Sequence, residues 1–343
     1  MNSLTRRLLP ALQLTRMALV FTALADSGCA MLLGAAKSAA AAGDGGSLWR
    51  QLNVTQCFSM MLVSVGLYGF GMSLNDIIDR RRDSLISPNR PLPSGRIGVK
   101  TAHVVCTLLI LMALFGGETY SDVVPNCALS LILVVFTAAL ITFYDFAAKY
   151  LVAPGLLSLG LIRFFHATIA APGLPVLWHP LLLLNHVTIV STFAYHWEQK
   201  RPPLRPVHWW SVFLGLLGIN IFAVGLVWWR RYARDPFMPL DQILTLGPQL
   251  YLPLIAAGLF VGLAVWIRVR NPNPRDAGQT LMLAGLLWLI VYDAVFAAGF
   301  GGATAGLAVL ALLPVAYLSV LAMRAWSRVM LLSQRPQFKR VET

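Results

Sequence analysis

Ten long apolar stretches are the feature that most limits how this chain can fold. Each stretch is about 20 residues long, the length that an α-helix needs to cross the hydrocarbon core of a bilayer. Of the 343 residues, 57% are hydrophobic and only 12% are charged, about half the charged share of a soluble domain. Because lipid-exposed backbone must be paired within helices or a closed barrel, and no alternating strand pattern is present, the sequence predicts an all-α transmembrane helical bundle.

The stretches predict nine to ten helices in one integral-membrane domain over residues 1–330, followed by a polar tail over residues 331–343. The last two stretches are separated only by the glycine-rich segment GFGGATAG, so they could instead form one broken helix. With loose ends, the stretches are 15–36, 54–75, 100–118, 125–145, 153–171, 177–197, 209–229, 247–268, 279–299 and 303–323.

Lysine and arginine residues are distributed unevenly among the loops. When the N-terminus is placed in the cytoplasm, 21 of the 27 lie in cytoplasmic segments and five lie on the opposite side. This split follows the positive-inside rule and predicts cytoplasmic N- and C-termini, in what we expect to be a multi-pass protein of a bacterial cytoplasmic membrane. Basic loops beside anionic membrane lipids account for the net charge of +13. Since no nucleic-acid-binding signature accompanies this charge, nucleic acid is not an expected partner.

Three aspartates, Asp76, Asp79 and Asp83, lie at the end of the second stretch, within NDIIDRRRDSLISPNRPLPSG. Their i, i+3, i+7 spacing places them on one helix face, within about 60° of each other. Clustered carboxylates repel one another unless a cation lies between them, and Mg²⁺ usually takes one or two carboxylates together with substrate phosphates. Arginines that follow, among them Arg90, could hold the phosphate. The alternative is a solvated loop with local salt bridges.

The order Asn-Asp-x-x-Asp-x-x-x-Asp, followed by Arg-Pro-x-x-x-Gly, resembles the first aspartate-rich motif of the UbiA-type intramembrane prenyltransferase superfamily. Members of that superfamily are helical bundles that use Mg²⁺ to bind a prenyl diphosphate near the cytoplasmic face. They transfer the prenyl chain to an acceptor, often an aromatic ring, in a central cavity. The resemblance implies that Asp76, Asp79 and Asp83 hold Mg²⁺ and diphosphate, that Asn75 orients them, and that Arg90 pairs with phosphate.

Two further segments extend the resemblance over residues 12 to about 200. FYDFAAKY supplies Tyr144 and Lys149 where the superfamily has a Tyr-x-x-x-Lys-like element, with the lysine one residue late, and both are implied to bind diphosphate. RFFH supplies Arg163 and His166 where the superfamily carries Arg-x-x-Asn, so histidine replaces asparagine, and Arg163 too is implied to bind diphosphate. An arginine inside an apolar helix costs about 2.5–3.5 kcal/mol on insertion scales, so Arg163 is expected to face the cavity or an acid.

The second aspartate-rich motif of the superfamily, Asp-x-Glu-x-Asp, is altered in this chain. The corresponding segment is AYHWEQKRP, in which Glu198 matches the central acid while His196 and Lys200 replace the two aspartates. One carboxylate cannot replace three as a Mg²⁺ site. We expect Lys200, with Arg201 beside it, to contact the diphosphate where a second metal ion would lie.

Two further acids, Asp26 and Asp293, lie within apolar stretches, and intramembrane acids are functional candidates by default. Together with His166 they are expected to line the cavity. Asp293 could bind the acceptor or neutralise Arg163. Asp26 could do the same, or it could be protonated within a helix contact.

These observations predict a Mg²⁺-dependent enzyme that transfers a polyprenyl group from a prenyl diphosphate to an aromatic or other lipophilic acceptor among membrane lipids. The alternative is a non-catalytic membrane protein that binds prenyl diphosphate or lipid and has lost the second metal site. A transporter is a third class, but no paired repeat of broken helices supports it. The catalytic group is expected to comprise Asp76, Asp79, Asp83, Lys149 and Glu198.

Overall fold

The computed structural model describes residues 19–41, 48–88, 90–124 and 127–333, and the regular secondary structure within them is entirely helical. The N-terminal arginines and the end of the polar tail, both used in the orientation prediction, lie outside the described residues. The α-helices are α1 (Val20–Ala41), α2 (Val54–Ile78), α3 (Arg80–Ile86), α4 (Val99–Val123), α5 (Leu129–Phe146), α6 (Val152–Thr168), α7 (Trp178–Trp197), α8 (Pro206–Tyr232), α9 (Leu240–Ile243), α10 (Tyr251–Arg270), α11 (Pro274–Gly301), α12 (Ala303–Leu310) and α13 (Leu312–Ser333).

The predicted all-α transmembrane bundle is confirmed. Each of the ten predicted stretches coincides with one long helix, except that the last is divided between α12 and α13. Among the described residues, eight helices are long and apolar enough to cross a membrane. Helix α6 is apolar but shorter, with 17 residues, and α7 carries several histidine, threonine and serine residues that lower its hydropathy.

Polar and glycine residues set several of the helix boundaries. The Asn53 side chain accepts a hydrogen bond of 2.7 Å from the Gln56 N–H and thereby caps the start of α2. At the start of α11, Asn273 plays the same part and Pro274 occupies the first turn, where a missing N–H costs nothing. Gly302, with φ of 87°, separates α11 from α12, so the predicted break in the glycine-rich segment is present.

The core of the bundle has two halves that share helix α1. In one half, α2 packs against α1, α4 and α5. The buried side chains of this half include Met60 from α2 and Val134 from α5. In the other half, α11 packs against α1, α7, α10 and α12, around residues such as Ile290 and Phe296. Large apolar side chains also cover the outside of the helices, Phe222 for example being 70% exposed. Such an exterior suits contact with lipid.

Small residues allow α2 and α4 to approach each other closely. A Cβ atom on Gly66 would lie 2.6 Å from the Leu109 carbonyl oxygen and 2.8 Å from the Ala113 Cβ atom. Such distances are too short for any real contact, so only glycine permits this approach. Within a bilayer no hydrophobic driving force brings helices together. Small residues at the contact let the backbones approach closely, and the helices then gain van der Waals packing.

We therefore expect Gly66→Ala to destabilise the protein by about 1–3 kcal/mol, because the added methyl group has to push α2 away from α4. The measurement is the thermal unfolding midpoint of the purified protein in detergent. Gly258→Ala is the matched control, since a Cβ atom there meets nothing within 4 Å. Equal midpoints for the two variants would contradict the packing account.

Candidate active site

The three predicted aspartates lie where α2 passes into α3. Asp79 is the C-cap residue that follows α2, and α3 begins at the next residue. The Asp79 N–H donates to the Asn75 carbonyl at 2.9 Å, and the Asp83 N–H donates to the Asp79 carbonyl at 2.8 Å. These bonds continue the helical pattern through the junction, so the one-sided arrangement predicted from the spacing holds. Asp76 and Asp83 are both buried.

The segment that follows α3 turns back over the aspartates. Gly95 adopts a φ of 71°, and the Ser94 hydroxyl donates to the Arg90 carbonyl at 2.6 Å. This turn directs the guanidinium of Arg90 toward the acids, where its Nη1 atom lies 2.5 Å from Asp83 Oδ2 and 3.7 Å from Asp76 Oδ1. The predicted arginine is thus in direct contact with two of the three aspartates.

Lys149 reaches the same aspartates from the end of α5. It lies in a short 3₁₀ helix over Ala148–Tyr150. Its Nζ atom is 2.9 Å from Asp79 Oδ1 and donates a hydrogen bond of 3.1 Å to Asn75 Oδ1. The same atom lies 3.6 Å from Asp145 Oδ1, one helical turn earlier in α5. The fold therefore joins two predicted elements that are far apart in the chain.

The oxygen atoms of this cluster suit a divalent cation. Both carboxylate oxygens of Asp145 are buried and receive no hydrogen bond from the described residues, and Tyr144 beside it is half-buried. Four aspartates thus lie around Arg90 and Lys149 in the described part of the chain, and carboxylate oxygens are the hard ligands that Mg²⁺ prefers. We call this cluster the aspartate site. Its members are Asn75, Asp76, Asp79, Asp83, Arg90, Asp145 and Lys149.

The altered second motif lies at the end of α7. Glu198 Oε2 pairs with Lys200 Nζ at 3.1 Å, and the lysine side chain is 47% exposed. Arg201 is exposed as well, while the His196 ring packs edge-on against Trp209 with the ring centroids 5.7 Å apart. Lys200 thus neutralises the single remaining acid of this segment. The proposed roles of these residues toward diphosphate stay predictions.

Arg163 lies in a second, fully internal cluster. Its Nη1 atom is 2.5 Å from Asp26 Oδ2, and its Nη2 atom donates to Thr22 Oγ1. His166, one turn further along α6, lies 3.4 Å from the same Asp26 oxygen. Arg163 therefore faces an acid, one of the two surroundings expected for it. In this arrangement the guanidinium is bound to helix α1.

Asp293 pairs with a residue that the sequence reasoning overlooked. Its Oδ1 atom is 2.7 Å from His179 Nε2 on α7, and both residues are buried. The partner of Arg163 is thus Asp26, and the partner of Asp293 is a histidine. The signal for His179 was present in the sequence, since an ionisable residue inside an apolar stretch marks a candidate site.

This chain resembles known proteins in both sequence and structure. Residues 28–286 match the UbiA prenyltransferase family. The match spans both halves of the bundle and the whole aspartate site, and it agrees with the resemblance found in the motifs. This chain belongs to the UbiA prenyltransferase family and is a multi-span membrane protein.

Relatives in sequence match only a short part of the chain. A protein of Methanococcus maripaludis strain C7 named digeranylgeranylglyceryl phosphate synthase is 35% identical over 74 residues, which are 21% of this chain and 27% of the relative. A protein of the same name from Methanothermobacter thermautotrophicus is 33% identical over 95 residues, 27% of this chain and 32% of the relative. The chain thus aligns with about a third or less of the length of these relatives.

Solved structures match over most of the chain. A structure described in work on digeranylgeranylglyceryl phosphate synthase in membranes has a TM-score of 0.54 and 18% identity. It covers 86% of this chain and 99% of its own. A UbiA homologue from Archaeoglobus fulgidus has a TM-score of 0.51 and 15% identity, covering 88% of this chain and 99% of its own. At these identities the likeness establishes the shared fold.

The internal ion pair gives a testable expectation. Asp26→Asn or Arg163→Met alone should destabilise the protein by about 3–5 kcal/mol, because each leaves an unpaired charge or a mismatched polar group in the interior. The double variant should lose clearly less than the sum of the two single losses. Thermal or denaturant unfolding of all four proteins in detergent measures this double-mutant cycle.

Lys200→Gln is the matched control for that cycle, because it removes a cation from an ion pair that is open to solvent. Its expected cost is at most about 1 kcal/mol. Strictly additive losses for Asp26 and Arg163 would show that the two side chains do not stabilise each other.

Proposed function

We propose that this protein is a Mg²⁺-dependent prenyltransferase that moves a polyprenyl group from its diphosphate to a lipophilic acceptor within the membrane. The observation that carries the proposal is the aspartate site, in which four carboxylates and two cations converge from three separate parts of the chain. Its position on the side of the bundle richest in basic residues supports a cytoplasmic orientation of this site.

The two cations of the aspartate site suit the diphosphate end of the substrate. The Arg90 side chain is 36% exposed, so its guanidinium is open to an incoming ligand, and its planar fork can hold two phosphate oxygens at once. Lys149 is a compact charge held by Asp79 and Asn75. Both cations are therefore fixed before the substrate arrives, which lowers the ordering cost of binding.

The aspartates supply the ligands for the metal. The Mg²⁺ ion would be held by Asp76, Asp79 and Asp83. Asp145 would add negative charge to the site. The bound ion would neutralise charge on the departing diphosphate. The carboxylates also hold the arginine and the lysine in place, so each acid has a positioning function in addition to metal binding.

The prenyl chain and the acceptor require an apolar, water-free environment. The carbocation that forms when the carbon–oxygen bond to diphosphate breaks has to react with the acceptor before water reaches it. Between α5, α6 and α8 lies an apolar groove of about 700 Å³, with Phe164, Phe165 and Phe222 in its wall. This groove contains Leu129, at the opposite end of α5 from Lys149, so it suits the far end of a long isoprenoid or a lipid chain and not the reacting carbon.

The acceptor class is the finer part of the proposal. An aromatic ring and a lipid alcohol both satisfy the requirement for a lipophilic nucleophile. The names of the relatives point to a glyceryl phosphate compound, whose phosphate would need a cation beyond Arg90 and Lys149. We assign this contact to Arg201, which is exposed at the end of α7.

A second candidate function is a membrane protein that binds prenyl diphosphate without turning it over. The observation that favours it is the Glu198–Lys200 ion pair, which leaves no free carboxylate pair for a second metal ion in the described part of α7 and the segment after it. The aspartate site alone would then bind the diphosphate.

To separate the two functions, the purified protein would be incubated with Mg²⁺, labelled prenyl diphosphates of several lengths, and aromatic and glyceryl phosphate acceptors. Asp76→Asn and Asp79→Asn should each lower diphosphate release by about 10²-fold or more, because charge stabilisation of the leaving group is lost. Removing Mg²⁺ with a chelator should have the same effect.

Asp276→Asn is the matched control for these variants. Asp276 is an exposed acid in the first turn of α11, and its replacement should leave release unchanged. Tight Mg²⁺-dependent binding without turnover of any acceptor would establish the binder and overturn the transferase.

The role of Lys200 can be tested by its effect on metal dependence. Lys200→Asp replaces a built-in cation by a carboxylate close to Glu198, so we expect it to add a second, weaker phase to the Mg²⁺ titration of activity or of substrate binding. Lys100→Asp, the same charge change at an exposed position in the first turn of α4, should not. An unaltered titration for Lys200→Asp would show that Lys200 does not replace a metal ion.

A further inference from the structure

We propose that Cys29, His179 and Asp293 form a second metal site, for one zinc-class transition-metal ion, in the interior of the bundle. The Cys29 sulfur, a ring nitrogen of His179 and a carboxylate oxygen of Asp293 all lie within 4.8 Å of one another. The three residues come from α1, α7 and α11, and all three are buried, with at most 1% of their surface exposed. We call this group the internal thiol site.

The geometry is close to that of a tetrahedral zinc site. Zinc binds sulfur at about 2.3 Å and nitrogen or oxygen at about 2.0–2.2 Å, so neighbouring ligand atoms lie roughly 3.2–3.8 Å apart. His179 Nε2 and Asp293 Oδ1 are 2.7 Å apart, so these two atoms have to separate slightly. The sulfur lies at most 4.8 Å from the other two ligand atoms, so it has to approach by about 1 Å.

The acids in this part of the bundle differ in their partners. Asp293 and Asp26, which lies one helical turn before Cys29, are both buried. Arg163 compensates Asp26. Asp293 Oδ2, however, is buried and receives no hydrogen bond from any N–H or O–H group of the described residues.

A divalent ion would leave the internal thiol site electrically neutral. A thiolate on Cys29 and a carboxylate on Asp293 carry two negative charges, which cancel the charge of Zn²⁺, and a neutral imidazole adds none. Such neutrality matters here, because an uncompensated charge is expensive inside a membrane protein.

The ligand types distinguish this site from the aspartate site. Thiolate and imidazole are soft and borderline ligands that select Zn²⁺ and related ions over Mg²⁺, whereas the aspartate site offers hard oxygen atoms. The ring of Phe296 packs edge-on against His179 with the centroids 5.3 Å apart, and buried apolar residues enclose the remainder. A closed site of this kind would fasten α1, α7 and α11 together and has no need of the prenyl substrate.

The test is the metal content of the full-length protein, purified without a polyhistidine tag from cells grown with added zinc. After dialysis against a weak chelator, elemental analysis should find about one zinc per chain. Cys29→Ser, His179→Gln and Asp293→Asn should each reduce bound zinc by about tenfold or more. Cobalt-substituted wild-type protein should show a thiolate-to-cobalt charge-transfer band that Cys29→Ser abolishes.

Two controls separate this result from indirect effects. Cys127→Ser removes a different buried thiol and should keep both the zinc and the cobalt band, and Asp76→Asn should also keep the zinc while impairing the aspartate site. Wild-type protein that contains less than about a tenth of an equivalent of zinc and shows no thiolate band with cobalt would overturn the proposal.

Discussion

The interior of this bundle depends on one constraint, that a charge placed among apolar helices has to find an opposite charge, because no water is there to solvate it. Arg163 satisfies it with Asp26, and Lys149 with Asp79 and Asn75. Each of these contacts joins helices that are distant in the chain. Charge pairing therefore fixes which helices lie side by side, while the apolar faces only require them to be buried.

The two charged clusters differ in their exposure, and that difference separates their functions. The aspartate site keeps an open cation, Arg90, in the turn after α3, so a phosphate-bearing ligand can reach it. The members of the cluster around Arg163 are buried. An open cluster of carboxylates suits a metal ion and a substrate, whereas a buried one suits the positioning of α1, α6, α7 and α11.

The proposed roles of the aspartate site would explain how a family function persists with an altered second motif. The residues proposed to bind metal and phosphate come from α2, α3, the turn after α3 and the 3₁₀ helix that follows α5. The site therefore does not depend on α7 for its assembly. Glu198 and Lys200 neutralise each other at the end of α7. The function proposed here is therefore concentrated on one side of the bundle, and the opposite side is free to differ in its acceptor.

The sequence by itself determined the helices and the spacing of the aspartates, because both depend on interactions between residues close in the chain. Apolar length sets each helix, and the period of the helix puts Asp76, Asp79 and Asp83 on one side. Only the tertiary structure decided the partners of Arg163 and Lys149, which lie 137 and 74 residues away in the chain. The same holds for His179, whose partner Asp293 is 114 residues away. The sequence showed that these charges required partners, but the choice among several acids depended on how the helices pack.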